Sequence, residues 1–298
     1  MKIFDCFMFY DEELLLDIRM NILNQFVDYF VICESKNYHN GLKRSLKFNI
    51  DNYPKFKDKI IYLVHDREPD GIRKVSSNDI ESVVSEKKIL NAHLRENDQR
   101  NFIEMGLNSA SENDLILVSD VDEIPNLEKN NLKDINNKII MFEQNIFYYK
   151  LNRYLNDFIW FGTKACKKKR LINPQWLRNI KSNNYSLFRL DTLFSNQKYI
   201  DKHYVKNGGW HFSNLKNPED IELKLKSYLH HYDYEVEELG KNKIQELIKE
   251  NKTIYDMFAD KTATKYGENS RRKLEKFETS KLPVYIQKNL DIFKDWLD

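Results

Sequence analysis

Cysteine is scarce in this chain: 298 residues contain three, Cys6, Cys33 and Cys166. They are too few and too scattered for a disulfide framework. Cys6 and Cys33 fall in apolar, strand-like runs, where small buried thiols are expected. A reducing compartment is therefore the expectation. Long apolar runs are missing too, and no segment is long enough to span a bilayer. The first dozen residues carry acids and no extended apolar stretch, so they read as neither signal peptide nor membrane anchor. That pattern implies a cytoplasmic location, with at most peripheral membrane contact. Nor does charge of one sign dominate: 48 Lys and Arg face 46 Asp and Glu, a net charge of +2. Such balance gives no general electrostatic reason to bind nucleic acid. Repeats and low-complexity tracts are absent.

What the chain does have is 41% hydrophobic and 13% aromatic residues, enough for a substantial core. Residues 3–9 read as a strand. A helix follows over about 12–25, with Asp11 as its cap and Leu15, Ile18, Ile22 and Phe26 on one face. Residues 29–33 and 60–64 read as two further buried strands. This alternation predicts an α/β sheet built from βαβ units. The polar stretch from Pro69 to about Ser85 reads as a loop, either a lid or plain surface. A helix over 86–108 and a strand over 115–120 come next, then a strand over 138–149. Residues 150–185 read as irregular, and strands near 185–190 and 210–213 close the core. Beyond Pro218 the chain turns charged and helical, at about 218–231, 241–257 and 284–297. The division is thus a catalytic domain over 1–216 and a charged helical extension over 217–298 packed on it.

The most informative stretch is Leu115-Ile116-Leu117-Val118-Ser119-Asp120-Val121-Asp122-Glu123-Ile124-Pro125. Four apolar residues lead into two aspartates at i and i+2, which share one side of a strand. The C-terminal edge of such strands is where open α/β sheets bind ligands. Two carboxylates there repel each other and lose solvation, so they call for a cation or a shared proton. A divalent metal that also binds substrate phosphates meets that need. The bland alternative is that the acids cap a helix near 126. Glu123 is a third acid, but as the next residue along a strand it should point away.

Other candidates surround this pair. Within Arg95-Glu96-Asn97-Asp98-Gln99-Arg100-Asn101, helical spacing puts Arg95, Asp98 and Gln99 on one face and sends Arg100 elsewhere. The string either orients a nucleotide and supports the acids, or makes ordinary surface ion pairs. Asn207-Gly208-Gly209-Trp210-His211-Phe212-Ser213 permits close backbone approach, with Trp210 as a face for a sugar or base. His211 is either a satisfied core histidine or a further metal ligand. Glu143, inside an aromatic strand, is a candidate general base or a hydrogen-bonded structural acid. Lys167-Lys168-Lys169-Arg170 is either a solvated loop or an attractor of an anionic substrate.

Taken together these segments resemble glycosyltransferase family 17. The resemblance rests on Ile3–Glu12 with Leu14, Leu16, Ile18, Arg19 and Asn21, on Val27–Ser35, Arg95–Asn101, Ser119–Pro125 and Gly209–Ser213. It covers roughly residues 1–232 and is lost after about 235. It implies a GT-A-type nucleotide-sugar-binding sheet flanked by helices, with a helical C-terminal extension. It implies a UDP-sugar donor, most naturally UDP-N-acetylglucosamine, a glycan acceptor, and inversion at the anomeric carbon. Asp122 would bind Mn²⁺ or Mg²⁺, Asp120 the ribose or the metal's water shell, and His211 the metal or the diphosphate. Glu34 lies where such folds meet the nucleoside, and Arg95, Asp98 and Arg100 would serve the donor site. Glu143, or failing that Asp191, would deprotonate the acceptor. Trp210 and Trp160 would shape the sugar pocket, and Arg178 and Lys164 would assist the diphosphate or an acidic acceptor.

Two other classes compete. A haloacid-dehalogenase-like phosphatase also places Asp-x-Asp after an apolar strand, its first Asp a nucleophile. Here Ile124 replaces the usual hydroxyl residue, and no downstream paired-acid motif is evident. A nucleotide-sugar-binding module without turnover is the non-enzymatic alternative.

Overall fold

The computed structural model describes residues 1–128, 132–228, 231–236, 238–255 and 271–298. Nine strands form one mixed sheet, ordered β3-β2-β1-β4-β7-β6-β8-β5, with β9 against β7. The parallel half comprises β1 (Ile3–Phe9), β2 (Tyr29–Ser35), β3 (Ile60–His65) and β4 (Leu115–Asp120). All seven residues of β1 are buried, as a central parallel strand covered on both faces requires. α1 (Glu13–Leu23) and α2 (Glu81–Phe102) supply the crossovers. α1 buries Leu15, Leu16, Ile18, Met20 and Leu23 against one face of the sheet. The other face carries Phe4, Cys6, Met8, Val31 and Ile116 packed with Ile103, Trp176 and Leu177. All three cysteines are buried and free.

Beyond β4 the sheet is mixed. β5 (Glu123–Pro125), β6 (Ile139–Tyr148), β7 (Arg153–Lys167) and β8 (Lys202–Ser213) complete it with β9 (Glu275–Lys276). β7 runs antiparallel to β4 and β6, whereas β8 runs parallel to β6 and antiparallel to β5. Gly209 sits at φ +145°, where β8 crosses β5 so closely that a Cβ would lie 2.1 Å from the Ile124 carbonyl. Short helices follow in chain order: α3 (Pro174–Asn179), α4 (Leu190–Leu193), α5 (Pro218–Ser227), α6 (His231–Val236), α7 (Gly240–Lys249) and α8 (Val284–Lys288). α5 and α7 bury Ile221, Leu225, Ile244 and Leu247, the first three against Ile146, Tyr148 and Leu155. α8 lies by α1, where the Tyr285 hydroxyl donates to Asp17. Arg153 grips the Asp298 carboxylate at 2.7 and 2.6 Å. The mixed α/β sheet flanked by helices thus agrees with the sequence reading. Among the described residues no helix is long and apolar enough to cross a membrane.

Several local expectations differ. Residues 153–167 are the longest strand rather than an irregular stretch. Residues 185–189 are not a strand, and α4 follows them. α2 begins at Glu81 rather than near 86 and ends in a 3₁₀ turn over Ile103–Leu107. Asp11 does not cap α1; it pairs with Lys216, and Glu12 takes the backbone N–H groups of Tyr10 and Asp11. α7 stops at Lys249, and residues 256 and 257 of the helix expected there lie outside the described residues. The loop before α2 is tied back to that helix, since Asn91 bonds both the N–H and the C=O of Arg73 and Lys87 pairs with Asp79. None of its residues lines either cavity described below.

Candidate active site

β4 delivers Asp120 to the C-terminal edge of the parallel strands, and a turn through Val121 and Asp122 leads into β5. No helix starts near 126, so the acids are not helix caps. The turn rests on Arg19, buried on the apolar face of α1. Arg19 pairs with Asp5 at 2.8 and 2.6 Å and donates to the carbonyls of Asp120, Val121 and Glu123 at 3.1, 3.2 and 2.8 Å. Asp120 is clamped from the other side. One carboxylate oxygen accepts from Arg100 and the other from Arg178, both at 2.9 Å. Burial raises this carboxyl, but the two guanidiniums outweigh it and hold it far below the usual range.

Glu123 does not point away. The turn interrupts the strand alternation and brings its carboxylate back under Asp120. There it accepts from the Asp120 N–H at 2.8 Å, Trp160 Nε1 at 2.6 Å and Arg178 at 2.6 Å. Gly162 makes room for this approach, because a Cβ there would stand 2.7 Å from Glu123 Cδ and 2.2 Å from Gln144 Oε1.

Asp122 faces a different set. His211 Nε2 lies 3.6 Å and Lys224 Nζ 3.8 Å from its Oδ2. Burial opposes the charge of all three groups, and their mutual attraction outweighs it. Asp122 is thereby lowered, and His211 and Lys224 are raised. His211 is set by the pairing of β8 with β5 opposite Glu123, and its ring lies 5.3 Å from that of Trp160.

These groups line a cavity of about 470 Å³, reached also by Tyr10, Tyr38, His39, Glu96, Asn214 and Tyr255. Tyr10 Oη, His39 Nδ1, Arg100 Nε, His211 Nδ1 and Asn214 Nδ2 are buried there without a hydrogen-bond partner among the described residues. Buried polar atoms are normally paired, so this concentration marks a place built for a polar ligand. A second, more open cavity of about 730 Å³ adjoins it. Glu96, Arg100, Trp160 and Arg178 line both.

Of the residues singled out from sequence, the cavity brings together Asp120, Asp122, His211, Arg100, Trp160 and Arg178. The others lie elsewhere. Glu34 is fully enclosed, its carboxylate taken by Arg44, the N–H groups of Lys47 and Phe48, and the Tyr62 hydroxyl. It anchors a loop and leaves no oxygen for a nucleoside. Asp98 is held by His65 and Arg67 beyond β3, and Arg95 by Glu68 and the His39 carbonyl. Only Arg100 and Glu96 of that helical string reach the acids. Trp210 packs into the core on the sheet face opposite His211. Glu143 is half-buried on β6, and Asp191 is exposed with Arg189 and Lys198; neither lines either of these two cavities. Lys164 lines the second cavity, but its ammonium is spent on the carbonyls of Arg178 and Ile180. Lys167–Arg170 lies where β7 meets the start of β4, the edge opposite Asp120.

Arg19, Glu96 and Lys224 are contributors that the sequence reading left without a role. A signal existed for Arg19: it falls four residues after Leu15, on the helix face that carries the core. Lys224 had none, since it belongs to α5 beyond the expected boundary at 216. With Leu223, Leu225 and Ser227 it makes one wall of the cavity, so the wall crosses that boundary.

A parallel half-sheet with an acidic turn and a polar cavity at its carboxyl edge is the frame of an α/β enzyme acting on a polar small molecule. The model of Glycosyltransferase family 17 matches residues 1–297. The chain belongs to that family and is a glycosyltransferase, with a sugar donor and a glycan acceptor as its substrates. The match continues well past residue 235, where the motif resemblance stops, and it removes the phosphatase alternative. Comparison with curated proteins finds no significant match.

Proposed function

We propose that this glycosyltransferase moves a sugar from a nucleoside diphosphate, UDP-N-acetylglucosamine foremost, to a glycan hydroxyl with inversion, on a GT-A-type platform. The observation that carries this reading is the convergence of Asp122, His211 and Lys224 with five unpartnered polar atoms in one cavity at the sheet's carboxyl edge.

Mn²⁺ or Mg²⁺ fits part of this set. Asp122 Oδ2 and His211 Nε2 are close enough to share one ion, whereas both oxygens of Asp120 are committed to arginines. Among the described residues no group of three or more His, Cys, Asp or Glu is arranged to hold a metal by itself. Donor phosphates and water would complete the coordination. Bound there, the cation would offset charge developing on the departing diphosphate.

The chain's own residues do the rest. Lys224 offers an ammonium to a phosphate oxygen beside Asp122. Tyr10, Tyr38 and His39 form an aromatic wall for the nucleoside. Arg100 and Arg178 keep Asp120 ionised, and Arg178 also fixes the Glu123 carboxylate in place, so the turn keeps its shape as charge shifts. Trp160, at the junction of the two cavities, gives the transferred sugar a face. The second cavity takes the acceptor. Its hydroxyl oxygen bonds to the anomeric carbon as the carbon–oxygen bond to the diphosphate breaks, and its proton passes to a carboxylate. Glu96 suits that role better than Glu143 or Asp191, because it alone of the three lies where the cavities meet. Burial raises Glu96, but Arg100 outweighs it and keeps it ionised.

A donor screen tests the proposal: nucleotide release from UDP-, GDP- and TDP-sugars with Mn²⁺, Mg²⁺ or chelator. Release from a UDP-sugar that a chelator stops supports it. Tight UDP binding without release or transfer to any acceptor would point to a binding module instead.

A further inference from the structure

Residues 181–197 form a loop whose base is fixed and whose tip is bare. The Lys181 N–H donates to the Gln197 carbonyl at 2.9 Å and closes the base. The Tyr204 hydroxyl donates to the Ser182 carbonyl at 2.6 Å, Lys202 to the carbonyls of Lys181 and Asn183, and Trp176 Nε1 to the Asn196 carbonyl. Between these anchors Leu187, Phe188, Leu190, Leu193 and Phe194 all face solvent. Phe188 is 93% and Phe194 90% exposed, so the core shields almost none of either ring. Scattered exposed apolar residues are ordinary, but five large ones within eight positions make a patch that calls for a cover.

The surrounding charge says what kind of cover. From Lys167 to Lys202 the chain carries nine Lys and Arg against two Asp, in a protein whose net charge is only +2. This stretch is contiguous in space. Leu171, Trp176, Leu177, Ile180 and Tyr199 share one hydrophobic cluster, and Ile172, also exposed, lies beside the Lys167–Arg170 run. Neighbouring acids offset it only in part: Asp120 and Glu123 take Arg178, Asp191 is shared by Arg189 and Lys198, and Glu104 stands 3.6 Å from Lys168. Large apolar side chains at a tip, ringed by lysine and arginine, match a bilayer surface, with apolar groups for the acyl boundary and cations for anionic headgroups. A protein partner or a second copy would also cover apolar side chains. Arg178 is spent in the clamp on Asp120 and Glu123 and Lys202 is buried on two carbonyls, so seven cations against two acids remain on this face, an excess better answered by a surface of uniform negative charge.

We propose that the face formed by residues 167–202 docks on an anionic lipid bilayer, with Phe188 and Phe194 as its inserted anchors. The second cavity draws Lys181, Ser182 and Gln197 from the base of this loop. Docking therefore brings the acceptor cavity close to the membrane surface, where a lipid-borne acceptor would be found. The docking itself does not depend on transferase activity.

Co-sedimentation of the full chain with vesicles tests it, comparing phosphatidylcholine alone with phosphatidylcholine containing phosphatidylglycerol. The protein should pellet with the anionic vesicles and not the neutral ones, and added salt should release it. The exposed-site double variant F188S/F194S should bind at least about tenfold more weakly while keeping the wild-type melting temperature and nucleotide release. Absence of binding to anionic vesicles, or equal binding by the double variant, would overturn the proposal. So would a concentration-dependent dimer, lost in F188S/F194S, in a protein that ignores vesicles; the face would then be an interface between copies.

Discussion

Arg19 on α1 and Asp5 on β1 form a fully buried, two-point ion pair directly beneath the acidic turn. The same guanidinium bonds the Ser119 hydroxyl at 2.6 Å and reaches three carbonyls of the turn. The path of the chain through Asp120 and Asp122 therefore depends on a residue that lines neither cavity. Replacing Arg19 by Met leaves Asp5 as a buried, uncompensated carboxylate and frees the carbonyls. The expected loss is ~3–5 kcal/mol, read from urea unfolding. Replacing both partners by apolar residues should cost less than the sum of the single changes.

Lys224 tests whether the C-terminal region completes the site. Lys224→Ala removes a cation beside Asp122 without opening the core. Nucleoside diphosphate should bind roughly tenfold more weakly by calorimetry, with little change in melting temperature. Unchanged affinity would leave α5 as a wall without an electrostatic part.

His39 gives the stability a pH dependence of known sign. Burial pushes it down to about 4. Unfolded, it titrates at about 6.5. Between these values the unfolded chain binds the extra proton, so His39 makes stability fall as pH drops through that window. Its share of the slope reaches about 1.4 kcal/mol per pH unit. His211 works in the opposite direction, because its raised value favours the folded state until pH climbs through it. In urea titrations across this window, His39→Phe should show a flatter acid limb than wild type. Because the slope is the readout, a uniform loss of stability in the variant does not obscure it.

How much of this was legible in the sequence depended on how far each feature reaches. β1 to β4 and α1 were readable because burial on both faces writes continuous apolar runs and one-sided helices. β7 was not: Arg153, Asn156, Lys164 and Lys167 interrupt its fifteen residues, and only pairing with β4, β6 and β9 makes them a strand. The acids at 120 and 122 were readable from their place after β4. Their differing partners were not, because Arg178 comes from α3 and Lys224 from α5, both distant along the chain. Glu123 was misread because strand alternation does not hold across a turn. Glu34 looked like a ligand contact by position alone; its partners, Arg44, Lys47, Phe48 and Tyr62, become neighbours only in the fold.

The central claim is that Asp122, with His211 and Lys224, grips a nucleotide-sugar diphosphate. Its most direct test is metal-dependent nucleotide release from UDP-N-acetylglucosamine by wild type and Asp122→Ala, with folding matched by circular dichroism and melting temperature. The account predicts that the variant keeps its fold and loses turnover by at least about a hundredfold. Full turnover by a folded Asp122→Ala protein would contradict it.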